Sequence, residues 1–348
     1  MYYKKLKNKA PSDHPKVSII VLNWNGKEDT LKCLESVLQI DYPNFELITV
    51  DNGSSDGSAN AIRLRFPEVI VLETGTNLGY AGGNNLGIRY ARRNGADWIL
   101  LLNNDIIVDA QLLREFFSAL TLVPKGRIFS GKIYYFSQPN MIWYAGGKRI
   151  NRQANFKHVG QLSIDNGQDF SSIVETDYAS GCVFFVNTDV FNKIGLFDEK
   201  LYLTYEETDF CYRARRAGFK SYFVPNAKVW HKVSISFGGE GSAVFNYFIT
   251  RNKLLWAENN LDFVKRIEVY ISLTYEFLKY YLLPPRFYLK FDGNKSLAKT
   301  IYRSIIDYKV CCIEKYKDPK NKAYRWGLRD YFLRRFGDCP DSVRSLIK

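Results

Sequence analysis

An α/β fold built on a mostly parallel central sheet with flanking helices is what this sequence predicts, from three observations. From Trp98 to Leu102 the chain is apolar without a break and then stops in Asn103, Asn104 and Asp105; such a run is how a strand buried on both faces of a parallel sheet reads. Upstream of it, apolar runs and helically spaced segments alternate in a β-α-β-α-β-α-β rhythm, the pattern of parallel strands joined by right-handed crossovers. The composition, 46% hydrophobic and 16% aromatic over 348 residues, supplies core for one large domain or two ordinary ones.

Taken in order, Val17–Asn23 (VSIIVLN) reads as the first buried strand and runs into the turn-forming Trp24-Asn25-Gly26. Leu31, Leu34, Val37 and Leu38 share one face of a helix over Thr30–Gln39. Phe45–Val50 is the second strand, ending at Asp51, and the turn-rich DNGSSDGS follows. Ser58–Phe66 reads as a helix and Val69–Leu72 as a third short strand. Gly75–Asn85 reads as a glycine-rich loop that opens a helix to about Asn94, and Asp109–Leu122 as the next helix. Short β-like runs then fall near Ile128–Phe136, Trp143–Ala145, Ile173–Asp177 and Cys182–Asn187, separated by loops long enough to carry function. Val190–Ile194 is a short helix. A longer one opens at Tyr205-Glu206-Glu207-Thr208-Asp209 and ends near Ala217, with Gly218 as its cap. Ser221–Val224 and Lys228–His231 read as two strands. Beyond Gly241, helices are expected over Val244–Asn259, Val269–Leu283, Lys299–Ile313 and Leu328–Phe336, interrupted by Pro284-Pro285 and Asp292-Gly293.

Ligands of open α/β sheets bind at the carboxyl ends of the strands, so the loops after Asn23, Asp51 and Leu102 are where a nucleotide is expected. Asp105, with two amides beside it, is placed to hold a divalent cation that in turn holds a phosphate; the alternative is a helix cap. Asp51 is able to accept a hydrogen bond from a ribose hydroxyl or from the N3–H of uracil or thymine, and its alternative is an Asx turn with Gly53. No G-x-G-x-x-G follows the first strand and no Walker A lysine motif is present, which excludes both phosphate fingerprints. The acids Glu206, Glu207 and Asp209 suit a helix N-terminus. Adjacent carboxylates also repel, so at least one needs a cation or a pKa raised toward that of a general base. Arg213, one turn from Asp209, is the expected partner. His231 is one of three histidines and follows Trp230 at a strand end, where packing or capping is the alternative role.

In this order and spacing, VSIIVLNWN, VDNGSSDGS, NLGYAGGNN, LLNND, YASGCVFFV, GLFDE, EETDFCYRARRAG and VWH resemble the family 2 glycosyltransferases of the GT-A fold, over about Lys16 to Asn259. The resemblance is to the branch that includes rhamnosyl- and galactofuranosyltransferases. It implies a Rossmann-like GT-A catalytic domain over residues 16–240, between a basic N-terminal extension (1–15) and a helical C-terminal region (241–348). It also implies inverting, metal-dependent transfer from a nucleotide-sugar donor, dTDP-rhamnose or a UDP-sugar, to a glycan or lipid-linked acceptor in cell-surface polysaccharide synthesis. Under it, Asn23, Asp51, Asn77, Gly79, Asn84 and Asn104 contact the nucleotide, and Asp51 reads the base. Asp105 matches the last residue of a D-x-D-type motif and binds Mg2+ or Mn2+, with His231 completing the metal site. Glu207 takes the place of the catalytic base, with Asp209 as the alternative, and Gly181 and Asp198 face the acceptor. Two departures stand out. Asn103-Asn104-Asp105 carries charge at its last position alone, which weakens metal binding, and the base position holds Glu where Asp is often seen.

The net charge of +13 is unevenly placed: from Leu261 to the C-terminus 19 Lys+Arg face 10 Asp+Glu, so +9 lies there. A basic, aromatic tail suits an anionic membrane surface; the alternative is helices packed on the catalytic domain or on a second subunit. Nucleic-acid binding is disfavoured, because the excess charge lies in the tail while the strands read as buried. A sugar nucleotidyltransferase is the enzyme rival, but Trp24-Asn25-Gly26-Lys27 is not the glycine-rich basic loop it needs. Met1–Lys9 lacks the apolar core of a signal peptide. Val269–Leu283 is broken by Glu276 and Lys279 and too short to span a bilayer. A cytoplasmic chain, or one peripheral on the inner face of the membrane, is expected. The six cysteines form no C-x-x-C pair, so reduced thiols are expected rather than structural zinc.

Overall fold

The computed structural model describes residues 14–150, 154–233, 241–281 and 314–347. The expected helix Lys299–Ile313 lies outside the described residues. The chain divides into two compact units, one of Met1–Lys148 with Phe156–Ser234, the other of Arg149–Asn155 with Ile235–Lys348.

The first unit is built on a ten-stranded mixed sheet. Its first half runs β1 (Val17–Asn23), α1 (Lys27–Val37), β2 (Phe45–Asp51), α2 (Ser58–Arg65), β3 (Ile70–Glu73), α3 (Gly79–Arg93) and β4 (Trp98–Asn103). β1 pairs in parallel with both β2 and β4, in a register that sets Asn23 beside Asp51 and Leu22 beside Asn103. Trp98 to Leu102 are all buried, as their unbroken apolar run requires. The second half runs β5 (Ile106–Val108), α4 (Leu112–Leu122), β6 (Ile128–Tyr135), β7 (Gln138–Tyr144), β8 (Gly147–Arg149), β9 (Phe156–His158), β10 (Val174–Thr176), β11 (Val183–Asn187), α5 (Thr188–Ile194), α6 (Glu206–Arg216) and β12 (Ser221–His231). Strand order across the sheet is β10-β12-β6-β11-β4-β1-β2-β3, with β5 added to β12 and β7 to β6. β11 runs antiparallel between β4 and β6, so its first residue lies at the same edge as the ends of β1 and β4.

Three local expectations are corrected. Most of Gly75–Asn85 is helix, because α3 begins at Gly79. Its glycines serve close packing: a Cβ at Gly83 would lie 2.5 Å from Leu22 Cδ1, and one at Gly87 would lie 2.7 Å from Ile20 Cγ2. Ser221–His231 is one strand, parallel to β6, whose register shifts between Val224 and Lys228; Pro225 there removes a ladder donor, as prolines at strand irregularities do. The helix expected from Leu328 starts at Pro319, with Asp318 as its N-cap accepting from the Asn321 amide at 3.0 Å.

The second unit contains α7 (Ala243–Asn260), α8 (Phe263–Tyr281), α9 (Pro319–Phe332) and the short α10 (Asp341–Arg344). Buried polar contacts tie α7 to α9 and to the segment after it: Tyr247 donates to Asp330 at 2.9 Å and the fully buried Arg251 to the Gly337 carbonyl at 2.6 Å. No helix among the described residues is long and apolar enough to cross a membrane.

The core of the first unit centres on aromatic rings contributed by β4, α4 and β11. Phe185 stacks on Trp98 with centroids 4.6 Å apart and on Phe116 at 4.8 Å. Phe185→Ala is therefore expected to cost about 3–5 kcal/mol, measured from urea denaturation midpoints.

Candidate active site

The polar ends of β1, β2 and β4 meet on one side chain. The Asn23 amide donates to Asp51 Oδ2 at 2.9 Å and to Ser54 Oγ at 3.1 Å. Its carbonyl oxygen accepts from Thr30 Oγ1 at 2.7 Å, from the Gly26 N–H at 3.2 Å and from Asn104 Nδ2 at 3.2 Å. Asp51 also accepts from the Ser54 N–H at 2.9 Å, so its carboxylate is oriented by two donors and stays buried. Asn52, next along, organises the α3 entrance: it donates to Asn77 Oδ1 and to the Gly79 carbonyl, both at 3.0 Å, and accepts from the Leu78 N–H at 3.0 Å. Asn77 in turn accepts from the Gly79 N–H at 2.8 Å. Gly79 has φ +71°, and a Cβ there would lie 2.4 Å from the Tyr202 carbonyl oxygen, so both backbone and space demand glycine. Asn84 is fully buried within α3 and donates to the Tyr80 carbonyl at 3.0 Å, so it lies in the helix rather than in an open loop.

A second group lies where β12 ends. Pairing of β12 with β5 sets His231 opposite Ile106, bringing its Nε2 to 3.1 Å from Asp105 Oδ1, with both residues buried. Burial lowers the imidazole pKa, but the neighbouring Cys182 and Asp105 outweigh it and raise it to about 10. Among the described residues no three His, Cys, Asp or Glu side chains form a group able to hold a metal by themselves. Asp105 and His231 could each offer one donor to the shell of a divalent cation only once the imidazole Nε2 gives up the proton it shares with Asp105 at 3.1 Å. The remaining positions would be taken by oxygens from outside the protein, such as those of a diphosphate.

The third group is the acid run at the start of α6. Asp209 is buried and ion-paired to Arg213 Nε at 2.7 Å, and Arg213 also donates to the Ile194 and Leu196 carbonyls at 2.8 and 2.9 Å. Glu206 is buried among like charges, and burial first, then Glu207 and Asp209, push its pKa well up. Glu207 is the partly accessible member of the run, and burial raises it to about 7. Tyr80 connects this group to the second. Its hydroxyl donates to the Gly181 carbonyl at 2.6 Å, beside Cys182, and the charges of Glu206 and Glu207 add to burial in raising its own pKa.

The approach to α6 is strained. Tyr202, Thr204 and Tyr205 have φ of 62°, 67° and 71°, a region that disfavours side chains. Asp198 accepts from the Lys200 N–H at 3.0 Å. The segment is held by Asn85, which donates to the Phe197 carbonyl at 3.0 Å and to Glu199 Oε1 at 2.9 Å and accepts from the Phe197 N–H at 3.1 Å.

The sequence-derived residues thus fall into three neighbouring groups at one edge of the sheet. Tyr80, Ser54, Asn52 and Asn85 lie within the motifs VDNGSSDGS and NLGYAGGNN, but the sequence assigns them no role of their own, because the partners of Tyr80 and Asn85 lie about a hundred residues away. The family model for glycosyl transferase family 2 matches residues 18–195. The chain belongs to this family. It is 28% identical over 206 residues to the low-salt glycan biosynthesis hexosyltransferase Agl10 of Haloferax volcanii, a match covering 58% of this chain and 62% of that relative, so under two thirds of its length is spanned. It is 26% identical to the N-acetylglucosaminyl-diphospho-decaprenol L-rhamnosyltransferase of Mycobacterium tuberculosis, over 55% of this chain and 68% of that one. GalNAc-T7, solved with UDP, GalNAc and Mn2+, shares the fold with a TM-score of 0.55 at 16% identity, covering 80% of this chain and 60% of that one. The family 2 assignment and this fold agree with the GT-A sheet expected from sequence.

Asn85→Ala would strip both main-chain groups of Phe197 of their partner inside the protein. It is expected to lower stability by about 1–3 kcal/mol, measured by chemical denaturation, with loss of any activity that depends on α6.

Proposed function

We propose that this family 2 member is an inverting glycosyltransferase that moves a sugar from a pyrimidine nucleoside diphosphate donor, dTDP-rhamnose or a UDP-sugar, to a hydroxyl of a glycan or lipid-linked acceptor. The observation that carries the reading is the convergence at one sheet edge of an oriented carboxylate (Asp51), an Asp–His pair (Asp105 and His231) and a raised, partly accessible carboxyl (Glu207). The names of the relatives point to the same chemistry.

Each group has a part. Asp51, fixed by Asn23 and Ser54, accepts from the N3–H of uracil or thymine. Asn77, Gly79, Asn84 and Asn104 shape the space around base and ribose. Asp105 and His231 are the residues to hold Mg2+ or Mn2+, whose chemistry when bound is to neutralise charge on the departing diphosphate. Glu207 takes the proton of the acceptor hydroxyl, which is a poor nucleophile until a base removes it. Gly181 and Asp198 border the acceptor side. Asp209 is committed to Arg213, which leaves Glu207 as the base. Direct displacement by that hydroxyl inverts the anomeric carbon.

A base must be ionised to act, so kcat/KM is expected to rise with pH through about 7, where the raised Glu207 loses its proton. Glu207→Gln is expected to keep nucleotide binding and to lose about 10²–10⁴-fold in kcat; turnover near wild type would remove the base assignment. The sign for stability is opposite. A raised carboxyl favours the folded state below its unfolded pKa, and that contribution is lost as pH rises through about 7. Above that pH, Glu207→Gln is therefore expected to melt higher than wild type.

The donor site is tested by melting curves with UDP, dTDP, GDP and CDP, each with and without Mn2+. UDP or dTDP is expected to raise the melting temperature, more so with Mn2+, and Asp105→Asn to abolish the metal dependence alone. Stabilisation by GDP in place of the pyrimidines would overturn the role of Asp51.

A further inference from the structure

The second unit carries a face that sugar transfer leaves unexplained. Successive helix residues are about 100° apart. On α8, Phe263, Val264, Ile267, Ile271, Thr274 and Tyr275 therefore share an arc of about 120°, and all are exposed. That arc carries no charge. Val269 and Leu273 point the other way and are buried. The inner side is already occupied: Tyr270 and Tyr331 hydroxyls meet at 3.0 Å, and Tyr324 donates to the Leu273 carbonyl at 3.0 Å. A helix in a globular domain turns its apolar stripe inward; here a second one is turned outward. Phe332 and Leu333, at the end of α9, are exposed as well.

The same unit holds a cavity of about 510 Å³ lined by Tyr316, Lys317, Lys322, Arg325, Trp326 and Arg329. Four cations and two aromatic rings line it, and no carboxylate does. Arg325 lies 3.9 Å from the Tyr316 ring centroid and Arg329 3.6 Å from that of Trp326. Arg325 also donates to the Tyr316 carbonyl at 2.7 Å, and Arg329 to Asp330 at 2.8 Å. Guanidinium groups held over rings are pre-oriented; the Nε and Nη2 of Arg329 are engaged by Asp330, so its remaining N–H groups, with Arg325 and the two lysines, are those that suit phosphate oxygens.

We infer that this unit docks on an anionic lipid bilayer, with the apolar arc of α8 entering the interface and the cationic cavity beside α9 taking lipid phosphate. Such a partner uses both features: an amphipathic helix supplies buried apolar area, and cations of the same unit supply attraction to anionic headgroups. The +9 excess from Leu261 onward has the matching sign. A soluble phosphate or a nucleic acid would use the cations and leave the exposed isoleucines without a role.

The test uses the full chain sedimented with vesicles of phosphatidylcholine alone or mixed with phosphatidylglycerol. Binding is expected on the anionic vesicles, weaker on the neutral ones, and falling with salt. Ile267→Asp with Ile271→Asp should reduce it by about tenfold or more, and Lys317→Glu with Lys322→Glu by about fivefold per lysine. Both pairs are exposed or half-buried, and circular dichroism with the nucleotide-induced melting shift verifies that the variants fold. Absence of binding, equal binding to both vesicles, or binding indifferent to the isoleucine changes would overturn the inference. So would sedimentation velocity showing a wild-type dimer that the isoleucine variant converts to monomer, which would assign the face to a second copy. None of these outcomes bears on sugar transfer, whose failure would appear in the nucleotide shifts and in turnover with a soluble acceptor.

Discussion

The Asn23 carboxamide is the contact on which the convergence of β1, β2 and the loop after β4 depends. It is fully buried at the end of β1 and makes five hydrogen bonds, to Asp51, Ser54, Thr30, Gly26 and Asn104. A buried amide must satisfy both its donor and its acceptor, and here the partners are the ends of the two strands that flank β1 and the start of α1. The parallel register that sets Asn23 beside Asp51 brings the carboxylate within reach. A one-residue slip of either strand would turn its own side chain to the opposite face and separate the pair. The unbroken apolar strands therefore do more than form a core: their pairing fixes where three polar ends converge.

The carboxylates of this edge are kept in three different states by three different means. Asp209 has a guanidinium partner, Asp105 an imidazole, and burial favours the protonated form of both Glu206 and Glu207, helped at Glu206 by the charges of Glu207 and Asp209. Such separation of environments is how one site acquires a carboxyl poised near neutrality. The helix dipole at the start of α6 offsets part of the repulsion, and Arg213 removes one of the three charges from the contest. What is left poised is the residue with the most solvent access.

Much of this was legible in sequence because it rests on local pattern. Strand ends, the acid run and the Asp209–Arg213 spacing follow from periods of two and 3.6 and from residue type. What was not legible depends on distant partners. The glycines of Gly75–Asn85 argue for a loop locally, yet Gly83, like Gly87 one turn on, is required by the approach of α3 to Leu22 and Ile20. The direction of β11 has no local signature, because a strand buried on both faces reads alike whether parallel or antiparallel. Pro225 suggests a break where β12 continues through a register shift. The start of α9 was marked by Asp318-Pro319, a cap and first-turn pair, but the polar residues after it concealed the helix.

The strain at Tyr202, Thr204 and Tyr205 is explained by what surrounds it. Residues held at positive φ cost of order 1–3 kcal/mol each and persist where neighbours over-determine the backbone. Here the segment between α5 and α6 is pinned by Arg213 on the Ile194 and Leu196 carbonyls, by Asn85 on both main-chain groups of Phe197, and by the Ala81 N–H on the Tyr202 carbonyl at 3.3 Å. These anchors come from α6 and α3, the two helices that carry the acid run and the glycine entrance. The strained turn is thus fixed by the elements it joins. Its consequence is positional: it sets the first turn of α6, and with it Glu207, relative to Tyr80 and Gly79. A relaxed connection would leave that distance to the flexibility of a loop, whereas the proton transfer proposed for Glu207 would depend on placement to within a fraction of an ångström.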